Sequence, residues 1–489
     1  MIKRIFRRGA VACAVFIIAL GIVWVYSAGF NSSGSPSLSD GEIMNRFVLL
    51  PSLLAISVFT VTSFLASATV ASPEVTSPRV PSKVVRSFQA QVVGLQWLNP
   101  LQRRDYPTEW QLLWTLGLVQ PNTDDDMVKA KPGKYSRLQP IGIIVNGNSG
   151  ELDFKEYHEK YLRALTKQFR SNYFQDSAYF YNAHSLDDRK TWRELAGIRV
   201  EYALPEGRLD PVETTSISRD TINDTFQIGF ASTPEAWSRN TPPDVRINFG
   251  GPNAGFISLT AGLDYLQSHP NETVWVMNWD APSFPPKDEQ INENIVLLVL
   301  AGPNYKTERA PLAWLGYPAS RKAADFEAAK GKPTRPVQAW KAAIETAAQN
   351  AGKQNTDIGY VIHDANNKHP DSPERIASLA QTLATELGEF DYVKQTFNTS
   401  ALLGEMGAGT ALTNVALGIA YANHMGKNVL VAGTTDLTQA TALVVVPPAK
   451  VRPIDPKAPW FRARGGNTAF LPWWGLRNDA RPGSQGYSR

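Results

Sequence analysis

The sequence predicts an α/β protein: a duplicated, layered body preceded by an N-terminal transmembrane hairpin. Three observations carry that expectation. Two long uncharged apolar runs lie within the first 72 residues. From residue 139 onward strand-like and helix-like stretches alternate, the pattern of a helix-covered sheet. The order strand, turn, helix, strand, strand occurs around 245–301 and again around 397–448, a repeat of pattern rather than of residue identity. The chain of 489 residues then divides into a membrane anchor of two helices (1–75), a linker with an aromatic-rich segment (76–138), two related halves (139–333 and 334–450) and an extended tail (451–489).

The anchor comes first. Residues 9–30, GAVACAVFIIALGIVWVYSAGF, are uncharged and long enough for a bilayer, which takes about 20 residues. Lys3, Arg4, Arg7 and Arg8 precede them, and Arg79, Lys83 and Arg86 follow the second run at 47–72. Basic clusters at both outer ends predict a hairpin in the inner membrane with the body facing the cytoplasm. The competing readings are a signal peptide cleaved near SAGFNSSG, and a single span with an exported body.

Charge and cysteine narrow the function. The first 86 residues carry eight Lys/Arg against three Asp/Glu, so +5 of the total +4, and the remainder is essentially neutral at −1. A neutral body has no broad phosphate-binding face, which argues against nucleic acid as a partner. The single cysteine, Cys13, lies in an apolar run, leaving the body without a disulfide, a thiolate metal site or a cysteine nucleophile.

Beyond a Pro/Ser linker, residues 88–122 concentrate aromatics: Trp97, Tyr106, Trp110 and Trp114 stand close to Arg103 and Arg104. Trp110, Trp114 and Leu118 recur every four residues, one face of a short helix. Such a face packs into its own domain or, because Trp, Tyr and Arg dominate interface hot spots, meets a partner through Trp97, Arg103, Arg104, Tyr106 and Trp110. Strands follow at 141–147, 245–251, 273–282, 294–303, 357–364, 428–434 and 440–448. Helices are expected around 153–170, after 251, and over 334–351, 373–387 and 407–425. The tail is dense in proline and glycine, yet Trp460, Trp473 and Trp474 point to a segment pinned on a surface.

Isolated motifs are weak. GNSGE (147–151) has Glu151 where a nucleophile elbow needs glycine. His363 and His369 share a polar loop without further fixed ligands, and Asp124, Asp125 and Asp126 read as a solvated turn, so neither a metal nor a cofactor is expected.

The order of elements, with GPNAGFISLTAGLDYLQ (251–267), YVIHDANNKHPDSPERIASL (360–379) and GEMGAGTALTNVALGIAYANHMGKNVLVAGTT (404–435), resembles the thiolase-like fold of β-ketoacyl synthases. The resemblance implies two related halves in a five-layered α/β structure. It also implies a nucleophilic cysteine at the turn before a helix of the first half, and two histidines, or a histidine and a cysteine, from the second. Here the nucleophile turn offers Pro252, Asn253 and Ala254, none able to form an acyl thioester. His363 falls near one histidine position and Glu405 stands at the other. The expectation is a degenerate pocket of Asn253, His363 and Glu405 with no catalytic residue.

The block QVVGLQWLNPLQRRDYPTEWQLLWTLGL, WVMNWDAPSFP (275–285) and the remainder of the body are similar to the type VI secretion lipase adapter family. That resemblance implies a non-enzymatic adapter that binds a phospholipase effector and helps load it onto the secretion spike protein. The rival reading is a membrane-associated acyl-transferring or lipid-processing enzyme with an unrecognised nucleophile. A membrane-tethered structural subunit of a secretion machine is the third.

Overall fold

A computed structural model describes residues 86–98, 108–119, 154–174, 176, 179–184, 199–226, 242–281, 293–365, 372–436, 438–454, 464–465 and 468–469. The chain divides into two units, Met1–Arg79 and Val80–Arg489, and the described residues belong to the second.

Its strands fall into two sets. The first is β1 (Ala90–Leu98), β2 (Arg199–Pro205), β3 (Asp244–Gly250), β4 (Thr273–Asp280) and β5 (Asn294–Ala301). In the second, two short pieces, β6 (Ala313–Leu315) and β7 (Ala319–Lys322), take the first place. They are followed by β8 (Ile358–His363), β9 (Thr396–Asn398), β10 (Asn428–Gly433) and β11 (Gln439–Val446). The sheet order is β3-β2-β4-β5-β1-β6-β11-β10-β8-β9, with β7 also on β11. Each set therefore reads third, second, fourth, fifth, first toward the junction. The directions match too: the second strand is parallel to the third and fourth, and the fifth is antiparallel to both neighbours. This is an internal duplication at the level of topology. Antiparallel pairing of Ala90–Val92 with Leu315–Ala313 joins the sets into one sheet.

Helices cover and separate the strands. They are α1 (Thr108–Thr115), α2 (Phe154–Phe169), α3 (Pro211–Phe226), α4 (Ala254–Ser268), α5 (Arg335–Asn350), α6 (Ser372–Glu386) and α7 (Thr410–Met425). Alternate residues of each strand face different cores, as the two-residue period of a strand requires. On β4, Trp275, Met277 and Trp279 join α2 and α3 in one cluster, while Val274 and Val276 join α4 and α7 in another. On β10, Val429 and Val431 face α7, and Leu430 and Ala432 face α5 and α6. The layering is helices, strands, central helices, strands, helices.

The central helices are apolar for this reason. In α7 every residue from Thr410 to His424 is buried, as expected of a helix with strands on both sides. It meets α4 closely: a Cβ added at Gly255 would lie 3.0 Å from the Cβ of Ala411, so only glycine permits that crossing without displacement.

Several expectations shift. The strand placed at 141–147 lies outside the described residues. The sequence reading has no place for β2 or α3. In β2 the charged pair Arg199 and Glu201 interrupts the apolar pattern, but the two bond to each other at 2.6 and 2.8 Å and are buried together. The run at 245–251 forms β3 at the sheet edge, where Asp244 and Arg246 are exposed.

The membrane hairpin is the larger correction. Among the described residues no helix is long and apolar enough to cross a membrane. The described fold is mixed α/β without a transmembrane element, and residues 1–75, to which the hairpin was assigned, lie outside the described residues.

Candidate functional site

Equivalent turns in the two repeats define the site. In the first, β3 ends and Gly251–Asn253 leads into α4. The turn closes through the N–H of Ala254 on the carbonyl of Gly251 at 2.9 Å. Asn253 is the residue before the helix, but its side chain makes no cap hydrogen bond. Its buried Oδ1 lies against the end of β10, where a Cβ added at Gly433 would come within 2.5 Å of it. Glycine at 433 is thus the condition for the first-repeat turn to reach the second repeat.

His363 ends β8 and pairs with Ala432, one residue from Gly433. It is fully built in. Nδ1 accepts the N–H of Ala365 at 3.4 Å, which leaves the ring proton on Nε2, 3.2 Å from Tyr392 Oη. Burial pulls its pKa down to about 4, opposed by the smaller upward pull of Asp364. The imidazole is neutral near pH 7 and engaged at both nitrogens. The carboxylate of Asp364 is likewise occupied, by the N–H and hydroxyl of Thr434 at 2.6 and 2.7 Å and the hydroxyl of Thr435 at 2.7 Å.

In the second repeat, Gly404–Gly409 connects the helical turn Thr399–Leu403 to α7, and Glu405 sits half-buried in it. Groups from the first repeat hold this connection. Asp280, at the end of β4, accepts the N–H of Ala408 at 2.9 Å with one oxygen. Its other oxygen accepts from Arg208 at 3.1 Å and from the N–H of Ala281 at 2.8 Å. Burial lifts Asp280 to about pH 7, although those donors draw it downward. Asn294 donates to the carbonyl of Gly409 at 3.0 Å and to the hydroxyl of Thr413, and accepts from Trp97 Nε1 at 2.6 Å.

Asn253 and His363 therefore converge on the ends of β8 and β10, and Glu405 lies in the matching connection. Trp97 is fully buried in β1. Trp110 falls on α1, and Arg103, Arg104 and Tyr106 lie outside the described residues. Sequence reasoning missed Asp280, Asn294 and Tyr392. The available signal for the first two was an acid closing, and an amide opening, a largely apolar strand, in TVWVMNWD and NIVLLVLA. Among the described residues no cluster of His, Cys, Asp or Glu is suited to a metal.

The two matching repeats and the paired turns define the class: a duplicated, mixed α/β fold. Within it, residues 312–447, essentially the whole second repeat, match the family described as type VI lipase adapter protein Tla3, C-terminal. No curated protein matches the chain. Among solved structures it is similar to the ishigamide ketosynthase/chain length factor, at 15% identity over 73% of this chain and 99% of that one, with a TM-score of 0.46. An oxazolomycin ketosynthase domain of Streptomyces albus JA3453 aligns at 11% identity, 75% and 98% coverage and a TM-score of 0.46. The 3-oxoacyl-[acyl-carrier-protein] synthase III of Aquifex aeolicus VF5 aligns at 11% identity, 73% and 99% coverage and 0.39.

Proposed function

We propose that this protein is a non-enzymatic adapter that binds a phospholipase effector and helps load it onto the type VI secretion spike. The observation that carries the proposal is the match of the second repeat to a lipase adapter family. The site supports it. Pro252, Asn253 and Ala254 supply no group able to attack an acyl carbon, and the histidine that remains is neutral and bonded at both ring nitrogens. The body acts on the cytoplasmic side, where an effector meets the spike before export. A phosphatase active only in the periplasm, fused after Arg86, is expected to be silent.

The decisive experiment is capture of a type VI phospholipase effector from the producing cell, together with its export. The full chain is expected to retain the lipase, and deletion of its gene to stop export of the lipase alone. The double variant His363→Ala, Glu405→Ala, checked for folding by thermal melt, is expected to bind and export as the native chain does. A folded double variant that binds the lipase but no longer supports export would return a catalytic role to the site.

A further inference from the structure

We propose that a cavity beside α6 binds a single carboxylate carried on a short apolar stem. The cavity holds about 170 Å³ and lies between α5, α6, β11 and the turn after β10. Asn253, His363 and Glu405 are not among its lining residues. Arg375, in the first turn of α6, lines it while only 9% exposed, and among the described residues its Nε has no hydrogen-bond partner. A buried guanidinium N–H without an acceptor is costly, and an anion entering the cavity would supply one. The start of α6 adds its peptide dipoles with the same sign. The planar fork of arginine fits the two oxygens of a carboxylate.

The other walls set the selectivity. Trp340, Ala339 and Ala440 are apolar and accept a stem of a few carbons. Cofactor-sized pockets run to about 300–1,000 Å³, so this one admits a side-chain-sized group. Two acids also line it. Glu374 is exposed, and Asp436 already accepts the N–H and hydroxyl of Thr438 at 2.8 and 2.7 Å. Their charges repel a doubly charged phosphate more than a singly charged carboxylate. The group comes from a free short organic acid or from an acidic residue of a docked polypeptide. Only the second source rests on the adapter reading.

Isothermal titration of the full chain separates the cases, with sodium butyrate, capped glutamate (N-acetyl-glutamic acid amide), its uncharged glutamine counterpart and inorganic phosphate as probes. Both carboxylates are expected to bind, with the glutamine compound and phosphate at least about tenfold weaker. Capped glutamate binding tighter than butyrate assigns the polypeptide source, and the reverse order assigns the free acid. Arg375→Gln is expected to weaken both acids at least about tenfold without lowering the melting temperature, since no described residue accepts from the Nε it removes. Equal binding of capped glutamate and capped glutamine overturns the proposal, as does phosphate binding tightest, or no heat from either acid. Native-like affinity in Arg375→Gln does the same. If that variant does not fold, the comparison of acid and amide on the native chain decides alone. Lipase capture is measured separately, so failure here leaves the adapter reading standing.

Discussion

The two outer helix layers solve the same packing problem with different residues. Against the first repeat, α2 and α3 lay Tyr157, Tyr161, Phe169 and Phe226 on Trp275 and Trp279, and the rings meet edge-on or tilted at 5.3 to 6.1 Å, as between Phe169 and Trp275 or Tyr161 and Trp279. Against the second repeat, α5 lays Ala339, Ala343, Ala347 and Ala348 on Ala440 and Ala442. Large rings fill space and tolerate little loss. Small residues allow helix and sheet to approach, and they leave the volume that the Arg375 cavity occupies. The repeat packed with alanine is the one that matches the adapter family.

The comparison breaks most readily at the aromatic layer. Trp275→Ala is expected to cost about 3–5 kcal/mol, read as a lower midpoint in denaturant, because the fully buried ring leaves a void its neighbours cannot fill. In the alanine layer the damaging change runs the other way. Ala343→Leu is expected to cost about 1–3 kcal/mol by overpacking. An aromatic layer that tolerates truncation better than the alanine layer tolerates enlargement would reverse the contrast.

The links between the repeats come next. Asp280→Ala removes the acceptor of the Ala408 N–H and is expected to cost about 1–3 kcal/mol. Asp280→Asn keeps an acceptor there and is expected to recover much of the loss. If both variants melt alike, the bond to Ala408 carries no stability.

The smallest effect concerns pH. Burial raises Asp280 to about 7 and Glu109 and Glu293 to about 8. Each stays protonated in the folded state while the unfolded chain ionises, so stability falls as pH rises from their ordinary values to these raised ones. Burial also lowers His158 to about 3 and His184, His363 and His424 to about 4. Those groups withhold stability as pH falls below about 6.5, where the unfolded chain gains protons that the folded chain refuses. The two trends oppose below about 6.5, and only the carboxylates act above it. The melting temperature is expected to peak near pH 6 and decline toward pH 8. A flat profile from 6 to 8 would show that these carboxylates are better solvated than their burial implies.

Much of the fold was legible because its central parts are extreme. VLLVLA and VLVAG (429–433) have no polar residue, and such runs belong inside a covered sheet. The helix after Gly409 is buried on every side, and the lipase adapter resemblance, read from the aromatic block and from 275–285 with the remainder of the body, meets the family match at 312–447 only in that remainder. What stayed hidden depends on pairing across long stretches of chain. The ion pair within β2 disguised an interior strand, and the polar alternation of DVRINFG was the sign of an edge, outweighed by the turn that follows. At the site, the positions of Asn253, His363 and Glu405 followed from motif order. The bonds of Asp280 and Asn294 to the second repeat did not, because each joins residues more than one hundred positions apart.

The junction strand has a consequence during synthesis. Leu98 pairs with Ile295, about two hundred residues further along the chain, and Ala90 pairs later still with Leu315. At about 5–20 residues per second, a ribosome leaves β1 without β5 for roughly 10–40 s, and among the described residues only the short antiparallel contact of Val93–Leu95 with Tyr181–Ala183 can form sooner. Its apolar segment, AQVVGLQWL, spends that interval as an open edge able to accept any other strand. The yield of folded chain is therefore expected to fall with temperature faster than its melting point alone would dictate, and to recover when the chain is made in a cooler or more dilute setting.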